Sequence, residues 1–393
     1  MASPKTSTAA YSGKTPAAAE APPVAIAPAR PSKLPFARRV VEAIARRFRW
    51  LAARLDRRLA PLAARSGFLA SLYYAFFSKA LWREHRAVLA GRMRYEIDTA
   101  NPRETSTMLR RNTHRLEKGI LSRPRRDVFA LDYIGETVDA YQRALKSAGQ
   151  CGDGGCSQDE LKWAHDVLNR YFEITAKHPK VDPLRKRFRA LTDPVAEIQG
   201  TFVPYQRDLS RAPSVSYDDL FELARRRRSV RWFLQKPVPR ETIDRAIIVA
   251  GQSPSACNRQ PFQFRVFDDP ELVPKVAELP LGTRGFSQNF PAIVVVIGRL
   301  RSYFSERDRH LIYIDASLAV MGFVYAAESQ GLSTCCINWP DIDEREQKIA
   351  EMLKLEPDER AIMFIAVGYP DPEGLVAYSG KKPLPVLRRY NFE

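Results

Sequence analysis

Two short apolar runs in the second half of the chain constrain its fold most. They are Ala292–Gly298, AIVVVIG, and Ala361–Gly368, AIMFIAVG, and both have the length and β-branched content of buried strands. Between them, Arg309–Gln330 has the length of a helix, and Gly331 supplies its C-terminal stop. A third strand is predicted over Phe262–Phe267. The pattern predicts an α+β domain, with helices around a small central sheet of about four or five strands.

The first half of the chain shows helical periodicity instead. Apolar residues three or four apart predict a basic amphipathic helix over 36–62. Gly67–Trp82 is apolar nearly all round but shorter than the ~20 residues that a spanning helix requires. Further helices are predicted over Thr105–Ile120 and Asp127–Gly149, and another begins at Ser157 with a capping box to Glu160.

Composition divides the chain in the same place. The net charge is +17, yet residues 217–393 carry 24 Lys and Arg against 24 Asp and Glu, so the excess lies before them. The first 35 residues are rich in Ala, Pro, Ser and Thr, which is typical of disorder. We therefore predict a disordered tail over 1–35, a basic all-α region over 36–200 and the α+β domain over 201–393.

The basic helices leave two interpretations open. Residues 36–82 either pack on neighbouring helices or lie on an anionic membrane surface. Nucleic acid is not an expected partner, because the arginines follow one helix face and no reader motif accompanies them. The N-terminus lacks the apolar segment of a secretory signal, so we expect a cytoplasmic protein, with membrane association as the alternative.

An arginine-serine cluster, RRRRSVR over 225–231, is the first candidate for chemistry. Arg227, Ser229 and Arg231 supply the forked cationic donors and the hydroxyl that a phosphate monoester needs. The alternative is that the arginines only complement the C-terminal end of a helix that begins near Tyr217.

A polar loop, SPSACNRQPFQF over 253–264, is the second candidate. Asn258 and Gln260 each donate and accept hydrogen bonds, as the alternating edge of an isoalloxazine ring demands. Pro261 then forces an extended chain into the following strand. The alternative is an ordinary Asx-type turn that leads into that strand.

Four landmarks in order make residues 217–393 resemble the FMN-dependent nitroreductase family. The family's phosphate clamp resembles Arg227, Arg228, Ser229 and Arg231, and its polar loop resembles Pro254, Ser255, Asn258, Gln260 and Pro261. Its Gly-Leu-Gly-Thr turn resembles 331–334, and its Gly-Tyr-Pro strand end with a later basic residue resembles 368–370 and then Lys381 or Lys382. Each landmark alone is weak, but four in order are specific.

The resemblance implies a nitroreductase-like fold and an FMN at a homodimer interface formed by the C-terminal domain. The clamp residues with Lys381 or Lys382 would hold the phosphate, Asn258 would address the flavin ring within the polar loop, and backbone N–H groups of Ile337 and Asn338 would face flavin N5. NAD(P)H would donate hydride, and a small electron-poor acceptor such as a nitroaromatic or quinone would receive it. No catalytic side chain and no metal are implied, since the cofactor carries the chemistry.

One feature departs from that simple prediction, and two further features lie outside it. Asn338 and Trp339 stand where many relatives have an acidic residue and glycine, which puts the substrate pocket in question. That departure keeps different redox chemistry on the same fold open as an alternative. The basic helix and the aromatic segment after Gly67 keep a second alternative open, a membrane or partner-binding protein with a non-catalytic flavin domain. In the segment THRLEKG over 113–119, His114 and Glu117 share one helix face, as an acid/base or ligand pair or as an interhelical polar contact. Cys335 and Cys336 are interpreted as small buried residues.

Overall fold

The computed structural model describes residues 36–150, 156–191 and 197–392, and these residues divide into two compact units, one that ends at Phe77 and one that begins at Ser78. The tail predicted over 1–35 lies outside the described residues. The helices are α1 (Phe36–Ala63), α2 (Gly67–Phe76), α3 (Trp82–Ala100), α4 (Thr107–Leu121), α5 (Ile134–Gln150), α6 (Gln158–Ile174), α7 (Asp182–Arg189), α8 (Tyr217–Arg226), α9 (Arg240–Gly251), α10 (Leu272–Ala277), α11 (Leu311–Ser329), α12 (Asp343–Leu353) and α13 (Leu384–Leu387).

One antiparallel sheet contains the four described strands, in the order β1-β2-β4-β3. These are β1 (Phe262–Phe267), β2 (Ala292–Arg299), β3 (Ser333–Asn338) and β4 (Glu359–Gly368). The three strands that the apolar runs predict are confirmed to within two residues. The predicted α+β class is confirmed as well, with helices on both faces of the sheet.

Alternation along β2 gives the sheet two buried faces. Val294 and Val296 face a core that includes α9 and α11, whereas Ile293 and Val295 face a second core that includes α10 and α12. Successive side chains of a strand point to opposite faces, so a sheet covered on both sides reads as a continuous apolar run. This is why β2 and β4 are the clearest strands in the sequence.

A third core lies inside the helical region. Helices α4, α5, α6 and α7 bury Leu109, Leu116, Tyr141, Leu168 and their neighbours against one another. Helix α3 differs from these four helices, because its Ala87 lies in the core that the sheet forms with α9 and α11. The second unit therefore begins well before the predicted domain boundary at residue 200, and that boundary stays a prediction.

Buried charges join α3 to the sheet. Arg360 of β4 is only 2% exposed, and its guanidinium lies 3.5 Å from the carboxylate of Glu84 and 3.0 Å from that of Asp341. Arg83 of α3 donates to the buried carboxylate of Glu346 on α12. Since a buried charge that loses its partner is strongly destabilising, this network fixes α3 on the sheet.

Several local predictions need correction. Ser157 caps α6 without a side-chain hydrogen bond, so the predicted capping box does not form. Glu160 instead accepts from the Ser106 backbone N–H at 2.8 Å and from the Thr105 hydroxyl at 2.6 Å. A partner distant in sequence outcompetes the local one. Helix α5 also begins at Ile134 rather than at residue 127.

Candidate functional site

The arginine-serine cluster lies at an edge of the sheet. Helix α8 begins with a capping box between Ser216 and Asp219 and ends at Arg226, after which the chain becomes extended. Ser229 forms a parallel bridge with Thr334 of β3, and the Val230 N–H donates to the Thr334 carbonyl at 3.1 Å. The backbone of the predicted clamp is thereby fixed alongside β3.

Ion pairing divides the arginines of this cluster into two groups. Arg225 pairs with Glu222 at 2.8 Å, and Arg226 pairs with Glu328 at 3.2 Å. Among the described residues, no carboxylate forms an ion pair with Arg227, Arg228 or Arg231. The three arginines of the predicted clamp therefore keep an uncompensated positive charge, which favours an anionic ligand.

A cavity of about 560 Å³ is lined by residues of both the arginine-serine cluster and the C-terminal segment. Arg228 and Lys381 line it together, with Arg225, Arg226 and Glu222 on its α8 side. Two predicted phosphate-binding positions that are 153 residues apart in sequence thus share one opening. Lys382 is exposed next to Lys381 but does not line the cavity.

The free edge of β3 supplies backbone donors near the cluster. Because Thr334 bonds outward to Val230, its backbone N–H and carbonyl point away from β4. Backbone groups alternate along an antiparallel strand, so the N–H of Asn338 also points to the free edge, whereas that of Ile337 points to β4. Of the two predicted flavin N5 donors, the geometry therefore favours Asn338.

The polar loop adopts an unusual backbone conformation. Cys257, Asn258 and Gln260 have φ angles of 54°, 50° and 49°, which is the left-handed region. The Ser255 hydroxyl accepts from the Gln260 N–H at 3.1 Å, and the Gln260 amide donates to the Asn258 side-chain oxygen at 3.3 Å. The amides of Asn258 and Gln260 are thus fixed relative to each other, and Pro254 is exposed beside them.

The loop and the cluster lie at opposite edges of the sheet. The loop leads into β1, whereas the cluster bridges β3, and three inter-strand spacings of ~4.8 Å separate these edges by roughly 14 Å. They also lie towards opposite ends, because Phe262 aligns with Gly298 and Arg360, whereas Ser333 aligns with Gly368. A single chain therefore does not bring the two parts of the predicted site together.

The positions of Trp339, Cys335 and Cys336 test what the sequence predicted for the substrate pocket and for the two cysteines. The Trp339 indole is buried, stacks on Phe364 with ring centroids 5.0 Å apart, and donates to the Glu346 carboxylate. It is a core residue rather than a pocket wall.

Cys335 is buried as expected, and burial raises the pKa of its thiol while the charge of Arg231 partly offsets this. Cys336 is exposed, so that expectation was wrong for it.

The THRLEKG segment makes an interhelical contact. Glu117 of α4 accepts from the Trp163 indole N–H of α6 at 2.9 Å, and its other oxygen lies 3.1 Å from His114 Nδ1. Among the described residues, no group of three or more His, Cys, Asp and Glu side chains is arranged to hold a metal ion. The structure thus shows the polar contact between helices.

Sequence reasoning missed the residues that hold the polar loop from outside. Arg110 of α4 donates to the Asn258 carbonyl at 2.9 Å, and Asp315 of α11 accepts from the Ala256 N–H at 3.0 Å. Asp315 also accepts from the Tyr303 hydroxyl at 2.8 Å, and burial together with this carboxylate raises the pKa of Tyr303 above its ordinary range. No local sequence signal marks these residues, because their partners are distant in the chain.

Together these features define a class of protein: an α+β domain with a cluster of positively charged side chains at the edge of its sheet. The sequence model of the nitroreductase family matches residues 224–284 and 278–369, which include the cluster, the loop and all four strands. This part of the chain belongs to the nitroreductase family.

Known proteins are also similar to this chain over part of its length. Iodotyrosine deiodinase 1 of Sus scrofa is 25% identical over 194 residues, which are 42% of this chain and 66% of that protein. Iodotyrosine deiodinase of Hydra vulgaris is 26% identical over 54% of this chain and 88% of its own. A putative NADH dehydrogenase/NAD(P)H nitroreductase of Methanothermobacter thermautotrophicus is 25% identical over 40% and 80%, respectively. The chain thus spans about two thirds of the length of the pig protein.

Solved structures also resemble this chain. A nitroreductase family protein from Streptococcus pneumoniae is 22% identical and covers 44% of this chain and 100% of its own, with a TM-score of 0.38. An FMN-dependent nitroreductase from Clostridium difficile is 24% identical and covers 44% and 99%, with a TM-score of 0.38.

Proposed function

We propose that this protein is an FMN-dependent NAD(P)H oxidoreductase that passes hydride to a small electron-poor acceptor, such as a nitroaromatic or a quinone. The observation that carries the proposal is the set of clamp arginines, Arg227, Arg228 and Arg231, which lie beside the free edge of β3 and have no carboxylate partner in the part of the chain that the structure describes. Their place in a nitroreductase-family domain supports FMN as the anion.

The residues present fit the phosphate end of FMN. Arg227, Ser229 and Arg231 offer guanidinium and hydroxyl donors, and Arg228 with Lys381 adds two cations at the adjoining cavity. Charge-assisted hydrogen bonds to phosphate are the strongest available in such a site. Lys382 lies one residue further and is the alternative lysine.

The ring end of FMN fits the remaining residues. The Asn338 N–H at the free edge of β3 is a donor for flavin N5, and the fixed amides of Asn258 and Gln260 match the alternating donors and acceptors of the ring edge. Ser255 and Pro254 complete that loop. Bound FMN accepts and donates hydride at N5, so the protein supplies position and electrostatics rather than a nucleophile.

We propose further that each site combines two copies of the chain, because the loop and the cluster are diagonally opposed on one sheet. An apolar surface suits such a homodimer. Ile314, Leu318 and Met321 are exposed along α11, although the rest of that helix is largely buried. Ile248 and Val249 of α9 are exposed beside them, where α9 packs on Gly322 of α11.

Two measurements test this proposal. The purified protein should be yellow, with flavin absorbance that NAD(P)H bleaches, and colourless protein that does not bind added FMN would contradict it.

Co-expression of Arg231→Ala with Asn258→Ala tests the shared site. A mixed dimer should regain one intact site from the unaltered cluster of one copy and the unaltered loop of the other. Sites within single chains would regain none.

Reductive dehalogenation is the second candidate reaction. The similarity to relatives named iodotyrosine deiodinase favours it. In such a reaction a carbon–halogen bond is replaced by carbon–hydrogen, halide leaves, and NAD(P)H supplies the two electrons. Parallel assays with a nitroaromatic, a quinone and an iodinated phenol separate the candidates, because only dehalogenation releases iodide.

We also propose that residues 36–77 contact an anionic membrane surface from the cytoplasm. This segment contains nine arginines and two acidic residues. None of the residues of α2 is buried, and Phe68, Phe76 and Phe77 are 72%, 77% and 65% exposed. Arginines near an anionic leaflet contribute about 1 kcal/mol each, and exposed aromatic rings suit the interface. The prediction from sequence extended this contact to residue 82.

Vesicle co-sedimentation tests the membrane proposal. The full chain should bind vesicles that contain phosphatidylserine and should dissociate as the salt concentration rises, because salt screens the attraction between the arginines and the anionic lipids. Phe68→Ser with Phe76→Ser should reduce binding, whereas Phe392→Ser, which alters an exposed aromatic outside this segment, should not. Equal binding by all three proteins would contradict the proposal.

A further inference from the structure

The polar loop needs support from outside itself. Three of its residues, Cys257, Asn258 and Gln260, occupy the left-handed region without being glycine. Such conformations are disfavoured for L-residues and persist only where surrounding contacts impose them. The identity of those contacts therefore decides how well the Asn258 amide is held in place.

One support comes from the sheet domain. Asp315 of α11 accepts from the Ala256 N–H at 3.0 Å and from the Tyr303 hydroxyl at 2.8 Å. The guanidinium of Arg259 lies over the Tyr303 ring at 4.9 Å. These contacts hold the beginning of the loop, but they do not reach the carbonyl of Asn258.

The other support comes from the helical region. Arg110 of α4 donates through Nε to the Asn258 carbonyl at 2.9 Å and through its terminal nitrogen to Glu160 of α6 at 3.0 Å. The Arg110 side chain is 14% exposed and that of Glu160 is 2% exposed. A planar guanidinium held by a buried carboxylate has one orientation, so its second bond fixes the loop.

The THRLEKG segment is linked to the same arginine through Trp163 of α6. The Arg110 guanidinium lies 5.4 Å from the centroid of the Trp163 ring, and the indole N–H of Trp163 donates to Glu117 at 2.9 Å. His114 contacts the other oxygen of that carboxylate. A chain of contacts thus runs from this segment to the backbone of Asn258.

We propose that Arg110 is a positioning residue, through which the helical region sets the affinity of the polar loop for its cofactor. The proposal rests on the proposed FMN site, but it adds a role for a region outside the matched family segment. Arg110 does not touch the cofactor in this proposal. It fixes the conformation of the residue that does.

Titration of FMN, followed by the quenching of flavin fluorescence, tests the proposal on the full chain. Arg110→Ala should weaken FMN binding on the order of tenfold, by loss of a charge-assisted bond. Arg115→Ala is the matched control, because that arginine lies on the same helix but contacts Asp132 and Tyr133 instead. Its FMN affinity should stay within about twofold of that of the unaltered protein.

A conservative variant separates position from stability. Arg110→Lys keeps a cation for Glu160 but cannot hold two partners with one fixed fork, so its melting temperature should stay close to that of the unaltered protein while FMN affinity falls. The Arg110→Lys variant also tests the positioning role if Arg110→Ala fails to fold. Unchanged FMN affinity in a folded Arg110 variant overturns this inference alone. Failure of the unaltered protein to bind FMN overturns the proposed function and this inference together.

Discussion

Charge at single residues determines which arginines are available to a ligand. Arg225 and Arg226 are neutralised by Glu222 and Glu328, whereas Arg231 is exposed and has no carboxylate partner among the described residues. The sequence RRRRSVR presents all of them alike. Only the positions of the two glutamates, one on α8 and one on α11, distinguish the ion-paired arginines from those of the clamp.

Arg231→Ala should therefore weaken FMN binding without unfolding the protein. Loss of one charge-assisted bond of about 1.5–3 kcal/mol corresponds to a dissociation constant roughly tenfold to a hundredfold higher. Fluorescence titration measures it. Arg240→Ala is the control, because Arg240 pairs with Asp268 at an exposed site on α9. An equal loss in both variants would mean that only overall charge matters.

Single glycines also explain landmarks that the sequence presents only as a motif. Gly331 has a φ of 79° directly after α11, which confirms the predicted helix stop. A Cβ at Gly368 would lie 2.4 Å from Pro291 Cγ and 2.9 Å from Phe233 Cδ1. The Gly-Tyr-Pro strand end therefore begins with glycine because two rings occupy the space of a side chain.

At the scale of elements, α3 shows how helices before the family segment become part of its core. Gly91 of α3 faces the short 3-10 turn Leu300–Ser302 that follows β2. A Cβ at Gly91 would lie 2.6 Å from Leu300 Cβ and 2.9 Å from its carbonyl carbon. The helix thus approaches the backbone of the sheet domain more closely than any other residue type permits.

Gly91→Ala should destabilise the protein by about 1–3 kcal/mol, the usual cost of overpacking. Thermal unfolding followed by circular dichroism measures the effect. Gly251→Ala at the end of α9 is the matched control, since a Cβ there meets nothing within 4 Å and the smaller unfolded-state entropy should leave stability equal or higher. A melting temperature unchanged by Gly91→Ala would show that α3 is not held this closely.

At the scale of the whole molecule, the compact unit that contains the family segment begins at Ser78. A chain that starts at Ser78 should unfold cooperatively and bind FMN as the full chain does. A chain that starts at residue 201 loses Arg83 and Glu84, the α3 partners of the buried Glu346 and Arg360. It should aggregate or melt at a lower temperature, as gel filtration and calorimetry would show. Equal melting of the two truncated chains would contradict this boundary.

The long apolar helix is a case where the whole molecule decides what composition leaves open. Glu306–Ser329 is long and apolar enough to cross a membrane, yet half of it is buried within the protein. Its buried face includes Ala316, Ala319 and Phe323 in the core against the sheet. Because strands flank it on both sides, the sequence predicts that it belongs to the α+β domain.

The sequence by itself determined the elements whose signal is local. The strands β1, β2 and β4, the stop at Gly331 and the family landmarks all depend on runs and turns within a few residues. It missed β3, because in its sequence STCCIN only Thr334 and Ile337 are β-branched, so no run of β-branched or aromatic residues marks the strand. The capping box at Ser157 failed for the related reason that Glu160 had a distant partner.

The tertiary structure alone decided how the candidate site is divided. It placed Arg228 and Lys381 at one cavity, and it put the polar loop at the opposite corner of the sheet. It also gave Arg110, in a helical region without a sequence-based role, a bond to the Asn258 carbonyl. Arg228 and Lys381, like Arg110 and Asn258, are more than a hundred positions apart in sequence. Strand order and helix packing fix such distances, and no pattern within a short window of sequence contains them.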